Sequence, residues 1–225
     1  MAKKTEPHRK RRLSQAELDR AILVDYEGNK PAPRAEAHPP PTLLGYLVDG
    51  EVSAGIIEPL FAANCAAKYR AKHAIPEGHR KLVTRLLEHA ESENRVIVAW
   101  SEHDLAHMIR ALPELHSRLA AVYRNAIKTV RPYLKEQGIQ LQRGQAKLYR
   151  VCEILEIPVA EKYGEGLVGE GLSLIRKQLE LGKSYRELSP GARRAWQNIV
   201  KHNRQDLLTM RAVLEQVQYT SAKLT

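Results

Sequence analysis

Cysteine and aromatic side chains are both scarce in this 225-residue sequence. Its two cysteines, Cys65 and Cys152, lie far apart, form no CxxC pair and match no zinc-ligand spacing. That argues against a disulfide framework and a structural zinc site, and in a reducing compartment both thiols are expected to be small buried apolar side chains. No apolar run approaches the ~20 residues that span a bilayer. The N-terminus is basic and polar and lacks the ~7–15-residue apolar segment of a secretory signal. An intracellular, cytoplasmic protein is expected from these absences. Internal repeats and a base-reading module are also missing.

Positive charge, by contrast, is plentiful. The formal net charge is +10 and the sequence pI is about 9.6, a balance that favours an anionic partner. Half of the excess sits in residues 1–12, where six Lys/Arg face a single Glu. With almost nothing to bury, residues 1–13 are expected to form a disordered basic tail. Its Arg9, Lys10, Arg11 and Arg12 are either phosphate-binding or merely solvated. Residues 14–225 are expected to form the folded domain, and 43% hydrophobic residues supply a core for it.

Ser14 caps a short helical turn over 14–20. Residues 21–28, AILVDYEG, read as a buried strand ending at its carboxyl edge. Five prolines in 29–41 make a loop. Residues 42–60 read as a hairpin about Asp49-Gly50. Helices are expected at about 61–71 and 77–93, and RVIVAW (95–100) is a second buried strand. Beyond Glu102 the pattern is helical, with breaks at Pro113, Pro132, Gly138, Pro158, 164–171 and Ser189-Pro190. Strand, hairpin, helix, strand and then many helices imply an α/β fold: a mixed sheet flanked by helices, with a helix-rich C-terminal half.

Acids recur at the ends of these elements. Asp25 and Glu27 are two apart on a strand, so they share one face. Two neighbouring carboxylates on a buried strand repel and are costly to desolvate. A divalent cation resolves both problems, and oxygen ligands suit Mg²⁺ or Mn²⁺; alternatively the strand has already ended and both acids are solvated. Glu102, His103 and Asp104 follow the second strand, where α/β sites collect, although Ser101 could equally cap a helix there. At about 100° per residue, the last helix (about 190–217) places Ala192, Ala195, Trp196, Ile199, Val200, Leu207, Met210, Val213, Leu214 and Val217 on one arc. His202 and Asp206 lie at the edge of that arc, as site residues or as a surface i,i+4 pair. Arg193, Arg194, Lys201, Arg204 and Arg211 take the opposite side.

Together, VDYEG, VAWSEHDL and KHNRQDLLTM resemble the three motifs of the DEDD exonuclease superfamily: Asp-x-Glu on the first strand, Asp after a later strand and Asp on a late helix. Within it the sequence is most similar to ribonuclease H-like nucleases related to RecB-family proteins, whose third motif is Tyr-Asn-x-x-Asp. AKLYRVCEILEIP (146–158) looks like that family's Ser-Leu-Lys-type helix. The likeness spans roughly residues 20–217. It implies a ribonuclease H-like fold and a nuclease acting on DNA or RNA as a 3′–5′ exonuclease. In that case Asp25, Glu27, Asp104 and Asp206 hold two Mg²⁺ or Mn²⁺ ions, and His202 handles the attacking water. The basic tail and Arg193, Arg194, Lys201 and Arg204 hold the strand's backbone. Two departures stand out. His202 replaces the tyrosine of the third motif, and Glu102 competes with Asp104. An inactive nucleic-acid-binding protein and a helical interaction protein are the alternative expectations. Trp100 and Tyr26 are candidates to stack a terminal base or to pack.

Overall fold

The computed structural model describes residues 12–28, 40–65, 74–142, 144–159 and 167–223. Arg9, Lys10 and Arg11 lie outside the described residues. The folded part begins one residue earlier than expected. Leu13 is buried, and its N–H donates to the Thr129 hydroxyl over 3.0 Å. Ser14 opens α1 (Gln15–Asp19) with a reciprocal capping box to Glu17.

The sheet has six strands: β1 (Ile22–Glu27), β2 (Leu43–Val48), β3 (Glu51–Ile56), β4 (Ala74–Pro76), β5 (Ile97–Ala99) and β6 (Tyr123–Asn125). They lie in the order β4-β3-β2-β1-β5-β6. Strands β1 to β3 form an antiparallel meander, while β5 runs parallel to β1, β6 to β5 and β4 to β3. The β2–β3 turn places both Asp49 and Gly50 at positive φ, 50° and 85°, the combination a tight two-residue hairpin needs. This is the α/β fold expected from the sequence, a mixed sheet flanked by helices with a helix-rich C-terminal half.

Period-two alternation sorts β1 onto two cores. Ile22 and Val24 pack with α3 (His79–Ser92), α4 (Glu102–Ala111) and α5 (His116–Val122) on one side of the sheet. Leu23 joins the other side with α6 (Ala126–Glu136), α7 (Leu148–Ile154) and the second half of α9 (Pro190–Lys223). Asp25 and Glu27 share the parity of Leu23 and therefore face α9. The first half of α9 forms a third cluster with α2 (Pro59–Asn64) and α8 (Leu167–Glu180), centred on Phe61 and Trp196. The members of the apolar arc named above are buried, except Ala195 and Val200, which are partly buried against the same core. Among the described residues, no helix is long and apolar enough to cross a membrane.

Three details differ from expectation. Helix α2 ends at Asn64 rather than near 71; residues 66–73 lie outside the described residues. Pro132 does not break the chain. It sits inside α6, where buried Val130, Tyr133 and Leu134 hold the helix against the core despite one missing N–H. The chain beyond Glu102 also contains a strand, β6, squeezed between two helices.

Candidate active site

Three elements that are distant in sequence deliver the acids. Strand β1 supplies Asp25 and Glu27, the first turn of α4 supplies Asp104, and α9 supplies Asp206. Asp25 lies opposite Gly45 of β2, and this glycine is where α9 comes closest to the sheet. A Cβ at position 45 would stand 1.8 Å from Asn203 Oδ1. Only a bare backbone admits the Asn203 side chain, which is 1% exposed. Its amide Nδ2 donates to the Asp25 main-chain carbonyl at 3.0 Å and to Asp25 Oδ2 at 2.8 Å. One side chain thus ties helix to strand and fixes one oxygen of the first carboxylate.

Glu27 is 8% exposed, and its Oε1 is buried without a hydrogen-bond partner. His202 Nε2 lies 3.5 Å from Asp206 Oδ2 and 3.9 Å from Glu27 Oε1. Donor atoms of Glu27, His202 and Asp206 all fall within 4.8 Å of one another, a spacing that one cation can bridge. Asp104 is buried and has two roles. As the third residue of α4 its Oδ2 accepts from the Ser101 N–H and hydroxyl, at 3.2 and 3.1 Å, closing a capping box. The capping reading of Ser101 therefore holds, and repulsion from Asp104 reaches both Asp25 and Glu27.

Electrostatics joins the four carboxylates into one group. Burial pushes Asp25 well above the usual carboxylate range, and repulsion from Glu27, Asp206 and Asp104 pushes the same way, against the Asn203 hydrogen bond. Glu27 is raised well above its ordinary value by burial and by Asp206 and Asp104. Burial also raises Asp104 and Asp206, opposed by the Ser101 hydrogen bonds in the first case and by His202 in the second. A concentrated negative charge out of water favours either protons or a cation. Carboxylate oxygens with one imidazole beside them are chemically compatible with a divalent cation.

Other sequence candidates fall elsewhere. Glu102, the competitor of Asp104, turns away to Lys128 and to Asn125 Nδ2. Tyr26 points to the opposite face of the sheet, where its hydroxyl meets His79 Nε2 at 2.8 Å. Burial and the nearby Arg110 hold that imidazole down to about 4. Trp100 donates its indole N–H to the Ala146 carbonyl at 2.7 Å and packs against the α6–α9 core. Neither aromatic stands free beside the acids to stack a base. Arg194, Lys201 and Arg204 are exposed along α9, whereas Arg193 is half-buried and donates to the Arg186 carbonyl. Arg12 pairs with Glu136. Cys65 and Cys152 are buried free thiols, as expected.

Sequence reasoning missed Asn203 as a site residue and Gly45 as its seat. The signal for Asn203 was its place in the third motif. Gly45 had none, because its neighbour is fixed only by the fold. No protein-family model and no curated protein sequence matches this chain, so the reading of the site rests on its geometry.

Proposed function

We propose that this protein is a divalent-metal-dependent nuclease of the DEDD type, hydrolysing phosphodiester bonds of DNA or RNA as a 3′–5′ exonuclease. One observation carries the reading. Four acids from three separate elements converge on one place, Glu27 and Asp104 buried and Asp25 and Asp206 half-buried, each raised by desolvation, and one Glu27 oxygen among them lacks a hydrogen bond. For a structural role this arrangement is unfavourable, since mutual repulsion and desolvation both oppose it. It becomes favourable when cations occupy it.

Asp25, Glu27, Asp104 and Asp206 would hold Mg²⁺ or Mn²⁺, two ions in all, which supply an activated water and stabilise the leaving 3′-oxygen. Asn203 holds one Asp25 oxygen by a hydrogen bond, which fixes that carboxylate's orientation. His202, between Glu27 and Asp206, orients the attacking water or takes its proton. Arg194, Lys201 and Arg204 on the outer face of α9 offer phosphate contacts.

The test is incubation of the purified chain with Mn²⁺ and end-labelled single-stranded DNA and RNA. Shortening from the 3′ end, lost in Asp25→Asn and with chelator, is expected. Binding without cleavage by the wild type would favour an inactive nucleic-acid-binding protein. Absence of both stoichiometric metal binding and strand binding would leave a helical interaction protein.

A further inference from the structure

A second feature of this molecule lies beside the carboxylates and takes no part in the chemistry assigned to them. Helix α7 packs on α9. Ahead of it the chain turns through Gly144 at φ 86°, closed by Gln145 N–H to the Gln142 carbonyl at 3.1 Å and by Gln142 N–H to Gln145 Oε1 at 2.8 Å. Turn and helix border an open groove of ≈ 560 Å³ lined by Gly144, Gln145, Tyr149, Arg150, Glu153 and Ile154. The Tyr149 ring, half-buried there, has Lys147 Nζ 5.7 Å and Arg150 Cζ 5.1 Å from its centre.

The groove is anchored to the acid cluster from two directions. Trp100, directly after β5 and four residues before Asp104, donates to the Ala146 carbonyl. One turn beyond Tyr149, Cys152 is buried in the same core as Leu207 and Met210, which follow Asp206 on α9. Burial first and the Asp206 charge second push its thiol up to about 11. The segment 146–152 thus runs from Trp100, four residues before Asp104, to Cys152, which feels the Asp206 charge.

We propose that this groove is a nucleotide subsite for a single strand whose backbone continues to the carboxylates, with Tyr149 stacking on a base and Lys147 and Arg150 holding the adjoining phosphate. The inference rests on the nuclease reading for the direction of the strand, but its binding chemistry is independent of catalysis. A nucleotide places a flat π-face and an anion a few ångströms apart, matching an aromatic ring flanked by two cations. Duplex bases are covered on both faces by their neighbours, so only an unpaired base can use the ring. Stacking is indifferent to base identity, in keeping with the lack of a base-reading module. Glu153 accepts from Arg150 Nη1 at 2.7 Å and competes with the phosphate for that guanidinium.

The measurement is fluorescence anisotropy of a labelled oligothymidylate with the full chain in Ca²⁺. Tyr149→Ala is expected to weaken binding about 5- to 100-fold, Tyr149→Phe to hold it within about threefold, and Lys147→Ala to weaken it and flatten its salt dependence. Glu153→Gln should tighten binding by freeing Arg150. A blunt duplex should show no dependence on Tyr149. The proposal is overturned if Tyr149→Ala binds the oligomer as wild type does, if duplex binding falls equally, or if Glu153→Gln weakens binding. Lys147 and Glu153 are exposed, so their variants decide the matter even if Tyr149→Ala unfolds. Wild-type hydrolysis of thymidine 5′-monophosphate p-nitrophenyl ester in Mn²⁺ tests the carboxylate cluster separately. No hydrolysis together with Tyr149-dependent binding overturns the nuclease and supports the subsite; hydrolysis without that dependence does the reverse.

Discussion

His202 stands within 4 Å of two acids, Asp206 and Glu27, in a position where the resembling nucleases carry a phenol. If it handles the attacking water, His202→Ala should lower turnover by about 10²–10⁴-fold while metal affinity, measured by calorimetry, changes little. His202→Tyr should recover part of that loss. Cleavage by His202→Ala at the wild-type rate would reduce it to a partner of Asp206, an i,i+4 contact of a few tenths of a kcal/mol at about that scale. At this scale the sequence was informative but ambiguous. Asp25 and Glu27 were legible because period-two geometry alone puts them on one face. Asp104 and Glu102 were not separable, because both follow a strand and both suit a helix N-terminus. The fold separates them by helix phase. The third residue of α4 turns back onto Ser101 and the acids, while the first turns out to Lys128.

Elements, in turn, meet where small residues allow it. Strand β2 and helix α9 approach through Gly45, and an added Cβ would overlap the Asn203 amide. Gly45→Ala should therefore cost about 3 kcal/mol or more by denaturant unfolding, combining overpacking with the loss of the two Asn203–Asp25 hydrogen bonds. The double variant Gly45→Ala/Asn203→Ala should be less destabilised than the two single losses added together, since removing the amide relieves the clash. Strict additivity would mean that the strand and helix do not interlock at this point. This contact could not be read from the sequence, because residues 45 and 203 become neighbours only after the sheet and α9 have formed. Helix α9 itself was legible, since a long periodic pattern reports its buried face directly. Strands β4 and β6, three residues each, carry no period to detect; they exist because β3 and β5 offer them a hydrogen-bonding edge. Helix α6 overrode its proline for a related reason: tertiary packing of Val130, Tyr133 and Leu134 outweighs one absent hydrogen bond.

For the molecule as a whole, the acid cluster sets a pH dependence whose sign follows from the direction of its shifts. Asp25 has a folded-state pKa raised above its ordinary value of 3.8. A raised group contributes stability that is fully present below the unfolded pKa and is lost as pH rises through the folded one. Glu27, Asp104 and Asp206 shift in the same direction. Without metal, the cluster therefore destabilises the chain progressively as pH climbs above about 4. Two other effects oppose this slope. His79, depressed from 6.5 to about 4, removes stability as pH falls below 6.5. The net charge of +10 declines as pH rises, easing self-repulsion. A bare stability profile therefore mixes all three, and the useful quantity is the difference between wild type and Asp25→Asn, in which His79 and the general charge cancel. The amide keeps an acceptor for Asn203 and cannot ionise, so wild type should lose stability relative to Asp25→Asn between pH 4 and 8 in chelator. Saturating Mg²⁺ should reverse the difference at pH 8, since cations stabilise the folded state by mass action only where the carboxylates are intact. A difference curve that is flat with pH, or an Asp25→Asn chain less stable than wild type at pH 8 without metal, would show that these acids serve the fold and not a cation.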